Sequence, residues 1–254
     1  MGTLDGRIAV VTGASAGIGE AVARDLVAQG ASVVLNARRK ERLEALAAEL
    51  GDRTAVVAGD ASEQSTIDAC LTACEEAFGG PADLVVVNAG RGLRGGVLDS
   101  DEGDWEEVVR TNLLGAARLL RAAANAMAER QSNGDWQKRA HDIVVLGSTV
   151  GRHISPFSSM YGSTKFAVHS IAEAVRREVG PKGVRVSIIE PGVVASEFQQ
   201  VAGYDKDAFG QFMEKIGPVL MPEDIARLIT FVCSQPPHVH LCDGVIRATR
   251  QDYP

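Results

Sequence analysis

No stretch of this chain approaches the run of about 18 apolar residues that a membrane-spanning helix requires, so none is expected to cross a bilayer. Cysteine is scarce. Cys70, Cys74, Cys233 and Cys242 are the four present, and no compact Cys/His cluster accompanies them. That spacing gives no structural-zinc pattern, and a chain of this size and composition has no need of a disulfide framework. Free, mostly buried thiols and no metal site are the expectation. Positive charge is in deficit: 26 Lys and Arg face 33 Asp and Glu, for a net charge of -7. This argues against a general nucleic-acid surface but leaves room for a local basic patch that holds a phosphate. The opening "MGTLDGRIAVVTGAS" has no positive segment followed by an apolar one, so no signal peptide is expected. Gly6 and Arg7 stand where a myristoylation signal wants Ser or Thr. A cytoplasmic location follows as the expectation, and no internal repeat is visible.

What is present is an alternation. Short β-branched runs recur at Ile8–Val11, in "GASVVLNARR", "TAVVAGD", "ADLVVVNAG", "DIVVLGS" and "VRVSIIEPG", and last in "DGVIRA". Helical periodicity fills the gaps between them. Ile18, Val22, Leu26 and Val27 share one side, and so do Leu43, Leu46 and Leu50. Further helices are expected over "QSTIDACLTACEEAF", from about Trp105 to Ala128, from about Tyr161, and over "MPEDIARLITFVCS". The pattern predicts one α/β domain over 1–254: a doubly wound parallel sheet of about seven strands with helices on both faces. Two stretches break the rhythm. Residues 128–142 read as a polar surface excursion. Residues 197–220 follow the sixth strand, beyond a carboxyl end where open sheets bind ligands, and 193–220 is expected to act as a substrate loop or lid.

"VVTGASAGIGEAV" places Gly13, Gly17 and Gly19 between the first strand and the first helix. Glycine lets the backbone turn tightly and approach a pyrophosphate, and the helix N-terminus offers free N–H groups to the anion. A plain β–α turn is the alternative. After the second strand stand Ala37, Arg38 and Arg39, with no acid to repel a 2'-phosphate. Two guanidinium groups there favour NADP(H) over NAD(H), unless they only begin a solvated basic helix. Asp60 can accept from an adenine amino group or cap the next helix. In "NAG", Asn88, Ala89 and Gly90, the glycine lets the backbone pass close to a ribose or nicotinamide.

Tyr161 and Lys165 lie four apart and face one side of a helix. A nearby ammonium favours the phenolate and is expected to lower the phenol below its usual pKa of about 10. Ser148, at the end of the fifth strand, can donate to a carbonyl oxygen that gains negative charge. Singly, each residue has an ordinary packing, solvated or capping role. Together, behind a nucleotide turn, they read as a site.

These motifs resemble the short-chain dehydrogenase/reductase family. "TGASAGIG" is similar to its TGxxxGIG, "VNAG" to its NNAG, "YGSTK" to its YxxxK, and Pro191-Gly192 to its PG pair. The resemblance implies a single-domain Rossmann fold and roles residue by residue. Tyr161 would be the proton donor or acceptor, Ser148 would hold the carbonyl oxygen, and Lys165 would bind the ribose. Asn112 would carry a water in a proton relay. Ser15 and Ile18 would line the pyrophosphate, Asp60 and Ala61 would flank the adenine, and Val193 and Ser196 would meet the carboxamide end. Val87 departs from NNAG. The C-terminus and "ARRKERLEALAAEL" resemble the clavulanic-aldehyde reductase-like and 3-hydroxy acid dehydrogenase-like subgroup.

The expected function is NADP(H)-dependent hydride transfer on a carbonyl/alcohol pair. Alternatives are a small hydroxy-acid dehydrogenase, a reductase of a bulky cyclic or polyketide-like carbonyl, and a non-catalytic sensor or scaffold. Arg91 or Arg94 could hold a substrate anion, His153 could add a polar group, and Phe157 and Met160 could make an apolar wall. Relatives of this family are commonly homodimers or homotetramers paired through the two long central helices.

Overall fold

A computed structural model of the chain describes residues 2–132 and 136–253. Seven strands form one parallel sheet: β1 (Ile8–Thr12), β2 (Ser32–Ala37), β3 (Thr54–Ala58), β4 (Leu84–Val87), β5 (His141–Leu146), β6 (Val184–Pro191) and β7 (Asp243–Ile246). Their order is β3-β2-β1-β4-β5-β6-β7. This is the Rossmann arrangement, and its topological switch point lies between β1 and β4. β4, β5 and β6 are buried along their whole length, as a sheet covered on both faces demands.

Period-two alternation sends neighbouring side chains to opposite layers. Ala9, Val11, Val33 and Leu35 pack with Val22 and Leu26 of α1 (Gly17–Ala28) and with Ile225 and Ile229 of α9 (Pro222–Cys233). Val10, Val34, Val85 and Ile143 face the other way. They meet Ile67 of α3 (Gln64–Phe78), Leu119 and Leu120 of α5 (Ala116–Ser132) and Val168 of α6 (Ser159–Val179). α2 (Lys40–Leu50) joins the first layer through Leu43 and Leu46. Cys70, Cys74 and Cys233 are buried and Cys242 is partly exposed, all as free thiols.

Three elements differ from the sequence expectation. The helix expected over Trp105–Ala128 is α4 (Trp105–Val109), then a wider π-helical turn at Arg110–Gly115, then α5. α5 runs on to Ser132, because Ser132 Oγ donates back to the Ala128 carbonyl at 2.8 Å and Gln131 Nε2 donates to the Arg139 carbonyl at 2.9 Å. The polar excursion is therefore shorter than 128–142; its residues 133–135 lie outside the described ones. Finally, 197–220 is helical in two places, α7 (Phe198–Val201) and α8 (Lys206–Ile216). Asp205 caps α8 by accepting from Ala208 N–H at 2.8 Å. Val194 pairs with Leu220, and Ala195 N–H donates to the Leu220 carbonyl at 2.9 Å, so the two ends of this excursion sit side by side.

At the amino ends of the strands lies a buried ionic knot. Arg185 makes two hydrogen bonds to Asp142, at 2.7 and 3.0 Å. Arg7 reaches both Asp83 (2.9 Å) and Asp142 (2.8 Å).

Candidate active site

The carboxyl ends of the strands open onto one cleft of about 940 Å³. Every catalytic and cofactor-binding residue expected from the sequence lines it except Asn112, which lies one layer behind.

The glycine turn builds the floor. Gly13 and Gly17 take left-handed φ values of +70° and +56°. A Cβ on Gly19 would come within 2.3 Å of the Gly13 carbonyl oxygen, so no larger residue fits that close approach. Thr12 ties the ends of β1 and β4 together: its Oγ1 accepts from Asn88 N–H (3.1 Å) and Ala89 N–H (3.0 Å). Asn88 Nδ2 donates to the Thr12 carbonyl at 2.8 Å. Ala16 precedes α1 and no side chain caps it, so the first N–H groups of the helix are left for a ligand in the cleft. This cradle fits a pyrophosphate.

Beyond the end of β2, Arg39 Nε donates to Ser15 Oγ at 3.0 Å. Its Nη1 pairs with Glu197 at 3.0 Å, and Arg42 pairs with the same carboxylate at 2.8 Å. Arg38 is more exposed and sits 3.5 Å from Glu107. Asp60 does not cap α3, whose first turn follows Glu63. Its Oδ1 accepts from Ser62 N–H (2.9 Å) and Ser62 Oγ (2.8 Å), and its Oδ2 faces Arg110 at 3.2 Å. Burial pushes this carboxyl up. The Ser62 hydrogen bonds and the charges of Arg110 and Arg38 outweigh that, leaving it below its usual value.

At the centre, Ser148 stands two residues past the end of β5 and caps a 3-10 turn over Thr149–Gly151. Tyr161 lies in the first turn of α6, its buried side chain lining the same cleft as Ser148. Lys165 is buried one turn on, and its Nζ donates to the Leu146 carbonyl at 2.7 Å. That ammonium lies 5.8 Å from the Tyr161 ring centroid. The phenol shifts against expectation. Burial raises its pKa, the Ser148 hydroxyl offsets only part of this, and the phenol stays protonated. Burial also lowers Lys165, to about 8.

Asn112 stands in the π-helical turn. Its Oδ1 accepts from Arg91 N–H at 2.7 Å, and its Nδ2 donates to the Arg91 carbonyl (2.8 Å) and to Thr164 Oγ1 (3.1 Å). π-turns of this kind recur at functional sites because they re-aim one side chain.

Several participants are invisible to sequence spacing. His169, one turn after Lys165, accepts from Ser148 N–H through Nε2 at 3.3 Å. Its ring is wedged against Gly147 and Gly151, where an added Cβ would come within 2.1 and 2.5 Å of it. Its Nδ1 faces the buried Glu190, 3.9 Å away, which Arg152 holds at 2.8 and 2.6 Å. Gln251, near the C-terminus, accepts from Val193 N–H at 2.9 Å. Phe198 meets the Tyr161 ring edge-on at 5.5 Å. Pro191, Gly192 and Ser196 complete this end of the cleft.

The expected substrate walls are only partly as drawn. Arg91 is spent on Asp104 (2.6 Å) and Glu107, while Arg94 is exposed at the mouth of the cleft. His153 is exposed and does not line the cleft. Phe157 does line it; Met160 instead packs in a small cluster with Leu93, Val108 and Val150. Among the described residues no group of three or more His, Cys, Asp or Glu is disposed to hold a metal ion, and no helix is long and apolar enough to cross a membrane.

Residues 7–207 match the family described as short chain dehydrogenase. An uncharacterised oxidoreductase of Staphylococcus epidermidis is 34% identical over 241 residues, covering 95% of this chain and 96% of its own. Among solved structures, the closed form of a serine dehydrogenase complexed with NADP+ superposes with a TM-score of 0.86 at 30% identity, covering 97% of this chain and 96% of its own. A 3-ketoacyl-(acyl-carrier-protein) reductase from Brucella melitensis, complexed with NADH, also gives 0.86 at 27% identity, covering 97% and 99%.

Proposed function

The chain belongs to the short-chain dehydrogenase family, and from that premise we propose that it is an NADP(H)-dependent oxidoreductase acting on a carbonyl/alcohol pair. The observation that carries this reading is the convergence of Tyr161 and Ser148, with Lys165 buried behind them, in the same cleft as the uncapped helix and glycine cradle. Arg38 and Arg39 would hold the 2'-phosphate, the turn around Gly13, Gly17 and Gly19 with Ile18 the pyrophosphate, and Ser15, expected at the pyrophosphate but bonded to Arg39 at 3.0 Å, would stand between the two. Asp60 and Ala61 would flank the adenine. Gly90 and Lys165 would meet the nicotinamide ribose, and Val193 and Ser196 the carboxamide end. When bound, the nicotinamide supplies or accepts the hydride.

The protein's own part is to place the carbonyl and manage one proton. Ser148 fixes the carbonyl oxygen and Tyr161, protonated at neutral pH, donates to it. The Lys165 ammonium then stabilises the phenolate left behind, and Asn112 orders the path toward solvent. In the alcohol-oxidising direction the same groups act in reverse.

Two observations favour a bulky carbonyl over a small hydroxy acid. Arg91 is already paired, and Phe157, Phe198, Tyr204, Phe209 and Phe212 line the substrate side of the cleft. The 193–220 segment is then the substrate-facing lid of a single catalytic domain. The resemblance of the C-terminus and of "ARRKERLEALAAEL" supports membership of the clavulanic-aldehyde reductase-like and 3-hydroxy acid dehydrogenase-like subgroup, and we propose a cytoplasmic homotetramer or homodimer.

Tyr161→Phe is the direct test. NADPH-dependent reduction of a carbonyl panel should fall by about 10²-fold or more, while NADPH binding followed by nucleotide fluorescence stays within about twofold. Retained turnover would remove Tyr161 from the proton-transfer role.

A further inference from the structure

Arg39 lines the cleft, and Arg42 stands beside it outside the lining. Glu197 reaches them from the far side, having left the sheet after β6, and both guanidinium groups converge on its carboxylate: Arg39 at 3.0 Å, and Arg42 at 2.8 and 3.0 Å. Arg39 also holds Ser15 Oγ at 3.0 Å, so the carboxylate, a serine hydroxyl and two guanidinium groups form one cluster at the edge of the nucleotide cleft. Donors of this set suit a phosphate oxyanion. The carboxylate satisfies them in its place.

We propose that Glu197 is a cofactor-selecting residue: its carboxylate occupies the arginine cluster that a ribose 2'-phosphate would take, and it must yield when the phosphorylated nucleotide binds. This rests on the NADP(H) reading above.

Charge and exposure set the direction of the effect. The side chains of Arg39, Arg42 and Glu197 are 44%, 50% and 46% exposed, so water screens the pairs and they are individually weak. A phosphate carries more charge and one more oxygen than a carboxylate, so it displaces Glu197 but gives up part of its binding free energy in doing so. The unphosphorylated nucleotide makes no such exchange. Glu197 thus narrows the preference that the arginines create. It also ties that end of the nucleotide site to the reaction centre, because the next residue, Phe198, begins α7 and packs edge-on against Tyr161.

The test compares wild type, Glu197→Gln and Arg39→Ala in the full chain. The readouts are dissociation constants for NADPH and NADH by nucleotide fluorescence, and for adenosine 2',5'-bisphosphate and 5'-AMP by titration calorimetry. Glu197 is half-exposed and glutamine keeps its shape, so the variant should fold as wild type does. Glu197→Gln should tighten NADPH and adenosine 2',5'-bisphosphate by about 3–10-fold and leave NADH and 5'-AMP within about twofold. A preference for the 2'-phosphorylated ligands that Arg39→Ala abolishes but Glu197→Gln leaves alone would overturn the role of Glu197 and spare the NADP(H) reading. Weaker NADPH binding in Glu197→Gln would show that the carboxylate organises the arginines, and weaker NADH binding that it serves the bare ribose. Either result overturns the proposal. No preference for the 2'-phosphate in any of the three proteins would overturn the NADP(H) reading and this inference together.

Discussion

Lys165 carries the sharpest pH signature in the cleft. Its ammonium is buried with a backbone carbonyl as its recorded partner, and burial brings its pKa down to about 8. Below that pH the ammonium is present, and above it the charge is lost, while the Tyr161 phenol is raised and keeps its proton throughout. The kcat/KM for NADPH in the reductive direction, which reports the free protein, should be level below about pH 8 and fall by up to about tenfold per unit above it. A profile flat to pH 10 would detach Lys165 from the reaction. The identities of these residues were legible because Tyr161 and Lys165 share a helix face and Ser148 follows a strand, and spacing alone expresses both facts. The direction of the Tyr161 shift was not legible. It depends on burial by segments distant in the chain, Phe198 among them, and on the ammonium turning to Leu146 rather than to the phenol. Gln251 and Glu197 escaped for the same reason: their partners stand 58 and 155–158 positions away.

Among the elements, the strands and most helices followed from the alternation of apolar runs, because a parallel sheet covered on both faces leaves a continuous hydrophobic imprint. The π-helical turn at Arg110–Gly115 left no such imprint. Its cause is the three-way hydrogen bonding of Asn112 to Arg91 and Thr164, which belongs to tertiary structure. α8 is a different case. It lies in a stretch that breaks the strand–helix alternation, and Asp205 at its start supplies the cap. Asp205→Ala should cost that helix about 1 kcal/mol. Amide hydrogen exchange should then quicken about fivefold over Lys206–Ile216, with β4 and β5 unchanged. Equal exchange in the two proteins would mean that packing of Phe209 and Phe212, and not the cap, holds α8 in place.

Across the whole molecule, the two ends of the sheet do different work. The carboxyl ends keep an uncapped helix start, an exposed Arg94 and a roomy cleft. The amino ends are closed by a chain of ion pairs running Asp83–Arg7–Asp142–Arg185, in which Asp83, Asp142 and Arg185 are buried and Arg7 is partly so. Removing one member strands buried charge, so Asp142→Ala should destabilise the fold by about 3–5 kcal/mol in denaturant titration. The cleft geometry should survive in whatever fraction stays folded, seen as an unchanged NADPH dissociation constant. A loss below about 1 kcal/mol would mean that water enters and solvates the knot. The excursion after β6 leaves and rejoins the rest of the chain side by side, at the Val194–Leu220 pairing. Its two ends therefore make a natural splice junction: the span between them should be exchangeable for that of a relative as one cassette, and the exchange would carry the Glu197 and Phe198 contacts with it while the sheet register is left as it is.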